Sequence, residues 1–146
     1  MDIAADVTSI AHVIQLSIAP VFLLTAVGAM LGVLSSRLSR AVDRARTLEG
    51  RAKTAAGEEQ SLLRQQLSVL SRRIRMIYKA MVLCALCALL ICSVIVALFA
   101  STLAATVLAV PIAVLFVAAM LAFIGALLLF LREVHLAITT LQIGTP

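Results

Sequence analysis

The chain has 146 residues, of which 63% are hydrophobic and 13% are charged, whereas an ordinary soluble domain has about 45–50% and about 25%. This length is enough for one domain. A small water-soluble domain cannot cover so many apolar side chains, because much of its surface stays exposed. The composition therefore excludes an ordinary soluble fold and predicts an all-α integral membrane protein.

The charged residues are concentrated in the middle of the chain. Residues 13–34 and residues 80–131 contain no Asp, Glu, Lys or Arg, and eleven of the twelve basic residues lie between Arg37 and Lys79. The N-terminus begins with acidic residues and not with the basic segment of a signal peptide. We therefore expect the first helix to remain in the mature protein.

The apolar runs predict three transmembrane helices. A hydrocarbon core about 30 Å thick needs about 20 helical residues, so the run 80–131 is too long for one crossing and suits two. We expect the divide in the Ser- and Thr-containing stretch 101–106, with Pro111 in the first turn of the third helix, where a missing N–H does little harm. The predicted spans are residues 13–34, 77–100 and 108–131.

Three polar residues precede or begin the first span. Thr8, His12 and Gln15 follow steps of four and three and so share one helical face. If several copies surrounded an axis, this face could line a polar pore. The alternative is that these residues stay hydrated at the outer membrane interface.

The first span also contains a proline and a small-residue motif. Pro20 removes one backbone hydrogen bond, which predicts a kink, either in a bent packing element or in a gating hinge. Gly28 and Gly32 form a G-x-x-x-G motif, and small residues let helix backbones approach closely in lipid. We expect a helix-packing role, although glycine is also common in membrane helices, and the partner helix is not determined.

Residues 35–76 predict a long antiparallel helical hairpin that resembles a coiled coil. They contain no proline, and their one strong break is Ala55-Ala56-Gly57. Apolar residues recur at steps of three and four on each side of the break, which is typical of a coiled-coil seam. The seam residues are Leu38, Val42, Ala45, Leu48, Leu63, Leu67, Leu70 and Ile74.

The basic hairpin sets the predicted orientation, because positively charged loops stay in the cytoplasm. The N-terminus is then outside and the tail 132–146 is cytoplasmic. The cations could contact anionic lipids or an acidic protein partner, or they could only set the topology. Nucleic acid is not expected, because no aromatic residues interleave with the cations as stacking platforms. The candidate lipid contacts are Arg37, Arg40, Arg72, Arg73, Arg75 and Lys79.

No catalytic or cofactor-binding pattern is found in the sequence. Cys84, Cys87 and Cys92 lie in an apolar run without a nearby histidine, and a structural zinc site needs four ligands. Phe116, Phe123 and Phe130 recur every seven residues, as in an apolar ridge. We expect no enzyme activity, no metal and no cofactor.

Short motifs along the chain resemble a known family. They are Ser17-Ile18-Ala19-Pro20, Arg37-Leu38, Leu70-Ser71-Arg72-Arg73-Ile74 and Phe130-Leu131-Arg132-Glu133-Val134. Together they resemble the small bacterial membrane proteins of domain-of-unknown-function family 2721, and the likeness covers nearly the whole chain. The resemblance implies a bacterial inner-membrane protein with three spans, and it implies no activity, substrate or catalytic residue.

Two hypotheses of function follow from the sequence. The first is a self-associating, non-enzymatic scaffold or accessory protein whose basic cytoplasmic helices make the contacts, as a homo-oligomer in the lipid bilayer. The second is a homo-oligomeric ion channel or pore with the first span lining the axis. No feature of the sequence indicates a conducted ion or a copy number.

Overall fold

The computed structural model describes the backbone of residues 3–103 and 108–141 and the side chains of residues 10–102 and 108–135. The described chain consists of three helices, α1 (Ile3–Thr54), α2 (Glu58–Leu103) and α3 (Ala109–Leu141). Each contains a window long and apolar enough to cross a membrane, with mean hydropathy of 2.1, 3.1 and 2.9. The prediction of an all-α fold with three long apolar helices is confirmed.

The connection between α1 and α2 lies at the predicted break. Arg51 and Lys53 are in the last turn of α1, and acidic residues occupy the first turn of α2, so each helix end carries charges opposite to its dipole. Gly57 has a φ of 65°, a conformation that glycine adopts without a steric penalty. Its carbonyl accepts a hydrogen bond from the Ser61 N–H at 3.4 Å, which starts α2.

Neither Pro20 nor Pro111 ends a helix. α1 is continuous through Pro20, and Pro111 is in the first turn of α3, as predicted. α3 extends beyond the charge-free run and remains helical through Leu141. The described part of the expected tail 132–146 is therefore helical.

The chain divides into two compact units, each with a small core. The described residues of the first unit lie within 3–30, 83–103 and 108–124, and those of the second lie within 31–82 and 125–141. Small and branched apolar side chains fill both cores. In the first unit they include Val13, Val27, Cys84, Cys87, Ile91, Val94 and Ala119, and in the second they include Leu34, Leu70, Ile77, Ala80 and Ala126.

Most apolar side chains are not covered by the chain itself. In the most apolar window of each helix only 17–22% of residues are buried, and Phe22, Leu89 and Val110 are 71%, 66% and 74% exposed. Exposing this much apolar surface to water is unfavourable, whereas lipid tails cover it without cost. The chain is a membrane protein.

Candidate functional site

The most deeply buried charged side chain in the described part of the chain is Glu133, on α3. Its side chain is 2% exposed. Burying a carboxylate is strongly unfavourable unless it is paired and hydrogen-bonded. The stability of the second unit therefore depends on how the Glu133 carboxylate is paired.

Two arginines from the other two helices pair with Glu133. Arg37 Nη1, on α1, donates to Glu133 Oε2 at 2.6 Å, and Arg73 Nη2, on α2, donates to Oε1 at 2.9 Å. These distances are close to those typical of charge-assisted hydrogen bonds. Each arginine side chain is 32% exposed. One buried carboxylate thus bridges all three helices.

An aromatic ring also contacts the Arg37 guanidinium. The Cζ atom of Arg37 lies 5.0 Å from the centroid of the Phe130 ring, within the range of a cation–π interaction. Phe130 precedes Glu133 by three residues, so the ring and the carboxylate share one face of α3. The same face of α3 therefore holds Arg37 through both contacts.

A cavity of about 290 Å³ lies beside these ion pairs and is here called the arginine cavity. Its lining residues recur at steps of three and four on α1 and on α2, so each helix contributes one face. Four guanidinium groups and one carboxylate give the wall a net positive charge. The lining residues are Arg37, Arg40, Ala41 and Arg44 from α1, Leu70, Arg73 and Ile77 from α2, and Glu133 from α3.

One buried hydrogen-bond donor of a residue in this wall has no acceptor among the described residues. Arg73 Nε is buried without a hydrogen-bond partner, although buried polar groups are nearly always hydrogen-bonded. Arg40 Nη1 donates only to its own helix, to Ser36 Oγ at 2.9 Å. The guanidinium group carries five N–H donors and no acceptor, so this wall offers positive charge and hydrogen-bond donors.

The structure brings together half of the predicted lipid-contact residues. Arg37, Arg40 and Arg73 line the arginine cavity, together with Arg44, which the sequence analysis did not single out. The other three candidates do not line it. They are Arg72, Arg75 and Lys79, all of which are exposed.

None of the predicted seam residues is exposed. Leu70 is buried, and the other seven have intermediate exposure; their pairing as a coiled coil stays a prediction. Leu62 and Val69 are 55% and 48% exposed, next to the seam on α2. These two exposed apolar residues, which lie on either side of Gln65 and Gln66 along one face of α2, are here called the apolar strip. The sequence pattern did not indicate them.

The small-residue motif of α1 is not used within the described chain. Gly28 and Gly32 are exposed, and a Cβ atom placed on either would meet nothing within 4 Å. Pro20, predicted to lie in a bent packing element or a gating hinge, is buried. A helix-packing role of the two glycines thus requires a partner outside the described chain.

The proposed pore-lining face is only partly described. His12 and Gln15 are exposed, whereas the side chain of Thr8 lies outside the described residues. Ser17, two residues after Gln15, is buried, and its hydroxyl donates to the Val13 carbonyl at 2.8 Å. The described polar side chains His12 and Gln15 therefore do not pack in the core of the first unit.

Among the described His, Cys, Asp and Glu residues, no group of three or more is placed to hold a metal ion. Cys84 and Cys87 are buried and Cys92 is exposed, and all three are free thiols. The chemistry that stands out in the described chain is the arginine cavity.

Three of the motifs that carried the family resemblance meet at the ion-pair cluster. Arg37, Arg73 and Glu133 each belong to one of them, and Phe130 belongs to the same motif as Glu133. The predicted topology indicates that these motifs lie at the same level, since it places the end of the first span, the start of the second and the end of the third at one membrane face. A lone acid at that level, among arginines, needs a partner.

Comparison with known proteins agrees with this resemblance. The family model described as "Protein of unknown function (DUF2721)" matches residues 17–143, a range that includes the whole cluster and the arginine cavity. No curated protein and no solved structure matches the chain.

Proposed function

This chain belongs to the DUF2721 family of proteins of unknown function, and we propose that it is a self-associating, non-enzymatic scaffold or accessory protein of the bacterial inner membrane. Its contacts are made by the basic helical hairpin of residues 35–76. The charge-free runs and the exposed apolar surface of the three helices support the membrane placement.

The orientation in this proposal follows from the distribution of charge. Eleven cations lie between the first two apolar runs, and loops rich in Lys and Arg are retained in the cytoplasm. The hairpin and the C-terminus are then cytoplasmic and the N-terminus is outside.

The observation that carries the scaffold proposal is the apolar strip on the hairpin. Leu62 and Val69 are half exposed although they lie outside the predicted spans, where the solvent is water. They are seven residues apart, which places them on one face of α2. Exposed apolar side chains at this spacing favour packing against another helix, and a second copy of the hairpin supplies such a helix.

The size of this contribution can be worked out from the exposed fractions. Full burial of a Leu or Val side chain stabilises by about 1.5–3 kcal/mol, so covering the exposed half of each gives about 1 kcal/mol. Two residues on each of two copies give about 4 kcal/mol, which corresponds to roughly a thousandfold change in a dimer dissociation constant.

The test is the oligomeric state of the full-length protein in a mild detergent, measured by native mass spectrometry over a range of concentrations. We expect oligomers of the unmodified chain and dissociation in the double variant Leu62→Gln/Val69→Gln. The matched control is Ser61→Gln/Ser68→Gln. Both serines are exposed on the same helix at the same spacing, and their hydroxyls bond only to their own helix.

A monomer at every concentration would refute self-association. Equal dissociation of the two double variants would refute the apolar strip as its cause. Replacement of Gly28 and Gly32 by Val tests the membrane part of the same proposal. Each position is open within the chain, so loss of the oligomer with an intact monomer would place the G-x-x-x-G face in the contact.

The second candidate is a homo-oligomeric channel with α1 around the axis. It is supported by the exposure of His12 and Gln15, which face away from the core of the first unit and so are available to line an aqueous path between copies. Purified protein in planar bilayers should then pass a current that Gln15→Leu reduces. No current over a range of voltage and pH would exclude this function.

A further inference from the structure

The arginine cavity contains more positive charge than its own carboxylate neutralises. Glu133 accepts from Arg37 and Arg73, and Arg40 and Arg44 add two further guanidinium groups to the same wall. Like charges at close range repel. A bound anion would relieve this repulsion.

The free donors point to the type of anion. Arg73 Nε is buried and unpaired, and Arg37 and Arg73 each use a single nitrogen toward Glu133. The planar guanidinium fork matches the geometry of phosphate and carboxylate oxygens and often binds them through two hydrogen bonds. The Glu133 carboxylate itself opposes a bound anion, but both of its oxygens already accept from an arginine.

The membrane-side end of the arginine cavity lies at the level of lipid head groups. Arg37 lies three residues beyond the first predicted span and Glu133 two residues beyond the third, or about 4.5 and 3 Å along a helix. The head-group region is about 5–7 Å thick on each side of the hydrocarbon core. Phospholipid phosphates are found at this depth.

We infer that the arginine cavity binds a phosphate group, with an anionic phospholipid of the cytoplasmic leaflet as its carrier. The free guanidinium nitrogens of Arg37 and Arg73, which Glu133 holds in position, contact the phosphate. Arg40 and Arg44 add positive charge on the cytoplasmic side of the same cavity. This inference rests on the membrane placement in the proposed function and does not depend on self-association. A general attraction between basic residues and anionic lipid would involve all exposed cations alike, whereas only four arginines line the cavity.

The experiment compares two double variants that each remove two positive charges. Arg40→Gln/Arg44→Gln alters the cavity without touching the bonds to Glu133. Arg72→Gln/Arg75→Gln is the control, because both side chains are exposed near the same membrane boundary and neither lines the cavity. Full-length protein in a neutral detergent is titrated with phosphatidylglycerol or phosphatidylcholine, and the dissociation constant of the first bound lipid is measured by native mass spectrometry.

We expect unmodified protein to prefer phosphatidylglycerol. The cavity variant should bind it at least about tenfold more weakly than the control variant, because two of the four positive charges that line the cavity are lost. Equal weakening of the two variants would show a diffuse charge effect and overturn the inference. Lack of preference for phosphatidylglycerol, together with lack of response to inorganic phosphate, would also overturn it.

A parallel thermal-unfolding measurement with inorganic phosphate identifies the carrier. Stabilisation by phosphatidylglycerol alone assigns the site to lipid. Stabilisation by inorganic phosphate that is lost in the cavity variant assigns it to a free phosphate, and both results support a phosphate site. If a poly-glutamate peptide bound as tightly as phosphatidylglycerol, the cavity would be assigned to an acidic protein partner and the phosphate site would be refuted.

The same mass spectra report the oligomeric state. A monomer that still binds one phosphatidylglycerol through the cavity supports this inference while it refutes the scaffold. If the protein is an oligomer and the cavity variant binds phosphatidylglycerol as tightly as the control variant does, only the phosphate site is refuted.

Discussion

Removing both guanidinium partners of Glu133 while leaving its carboxylate in place tests whether the cluster holds the three helices together. In Arg37→Met/Arg73→Met the carboxylate remains 2% exposed in the native packing and has lost both of its hydrogen-bond donors. Methionine keeps the apolar part of each side chain, and its sulfur can pack against the Phe130 ring. The loss is therefore mainly electrostatic.

The expected magnitudes follow from burial. A single replacement removes one hydrogen bond to a charged group, worth about 1.5–3 kcal/mol, and we expect the lower part of this range because each arginine is a third exposed and water screens the pair. The double replacement leaves an uncompensated buried charge and costs about 3–5 kcal/mol. Adding Glu133→Leu removes that charge, so the triple variant should return to within about 1 kcal/mol of the unmodified protein.

The assay is the free energy of unfolding in mixed micelles with an increasing fraction of denaturing detergent, followed by far-ultraviolet circular dichroism. Arg72→Met/Arg75→Met is the control, because both side chains are exposed; its effect should stay within about 0.5 kcal/mol. If the triple variant were as unstable as the double variant, the orphaned carboxylate would not be the cause. The cluster would then contribute through shape and not through charge.

Three further predictions concern the turn, the aromatic contact and the orientation. Gly50→Ala should stabilise α1 by about 0.5–1 kcal/mol, because the position is open. Gly57→Ala should cost about 1–2 kcal/mol, because its φ is 65°. Thermal unfolding of both variants measures the two effects, and shifts of the unfolding temperature in the same direction would contradict the turn geometry. Phe130→Leu should lose about 0.5–1 kcal/mol in the unmodified chain and much less in an Arg37→Met background, and equal losses in a double-mutant cycle would exclude the cation–π contact. A green fluorescent protein fused after Pro146 should fluoresce in cells, since the C-terminus is expected in the cytoplasm; activity of a periplasmic reporter alone at this site would reverse the orientation.

The helices and their break could be predicted because their causes are local. Charge-free runs of sufficient length predict membrane helices. The change from basic residues at Arg51 and Lys53 to acidic residues after Gly57 marks one helix end and the next helix start. The charge pattern says less about how far a helix continues beyond the membrane, and α3 remains helical through Leu141.

The ion-pair cluster could not be derived in the same way, because it depends on how each helix is rotated about its own axis. Glu133 is separated by 96 residues from Arg37 and by 60 from Arg73. Residues 109–131 of α3 contain no charged side chain, so no polar face indicates which side of the helix turns inward. The exposed strip of Leu62 and Val69 was missed for a related reason, since its residues lie one position before the seam residues Leu63 and Leu70.

The cluster has a physical consequence for how the second unit is specified. In lipid, apolar side chains gain little by contacting one another rather than the acyl chains, so sliding α3 by one turn along its neighbours changes the apolar contacts very little. The same slide moves the Glu133 carboxylate by about 5.4 Å, which is well beyond hydrogen-bond distance from Arg37 and Arg73. A buried charge without a partner is strongly unfavourable, and the slide would also separate the Phe130 ring from the guanidinium. The polar contacts of one residue therefore favour a single register among helices whose apolar surfaces would otherwise permit several.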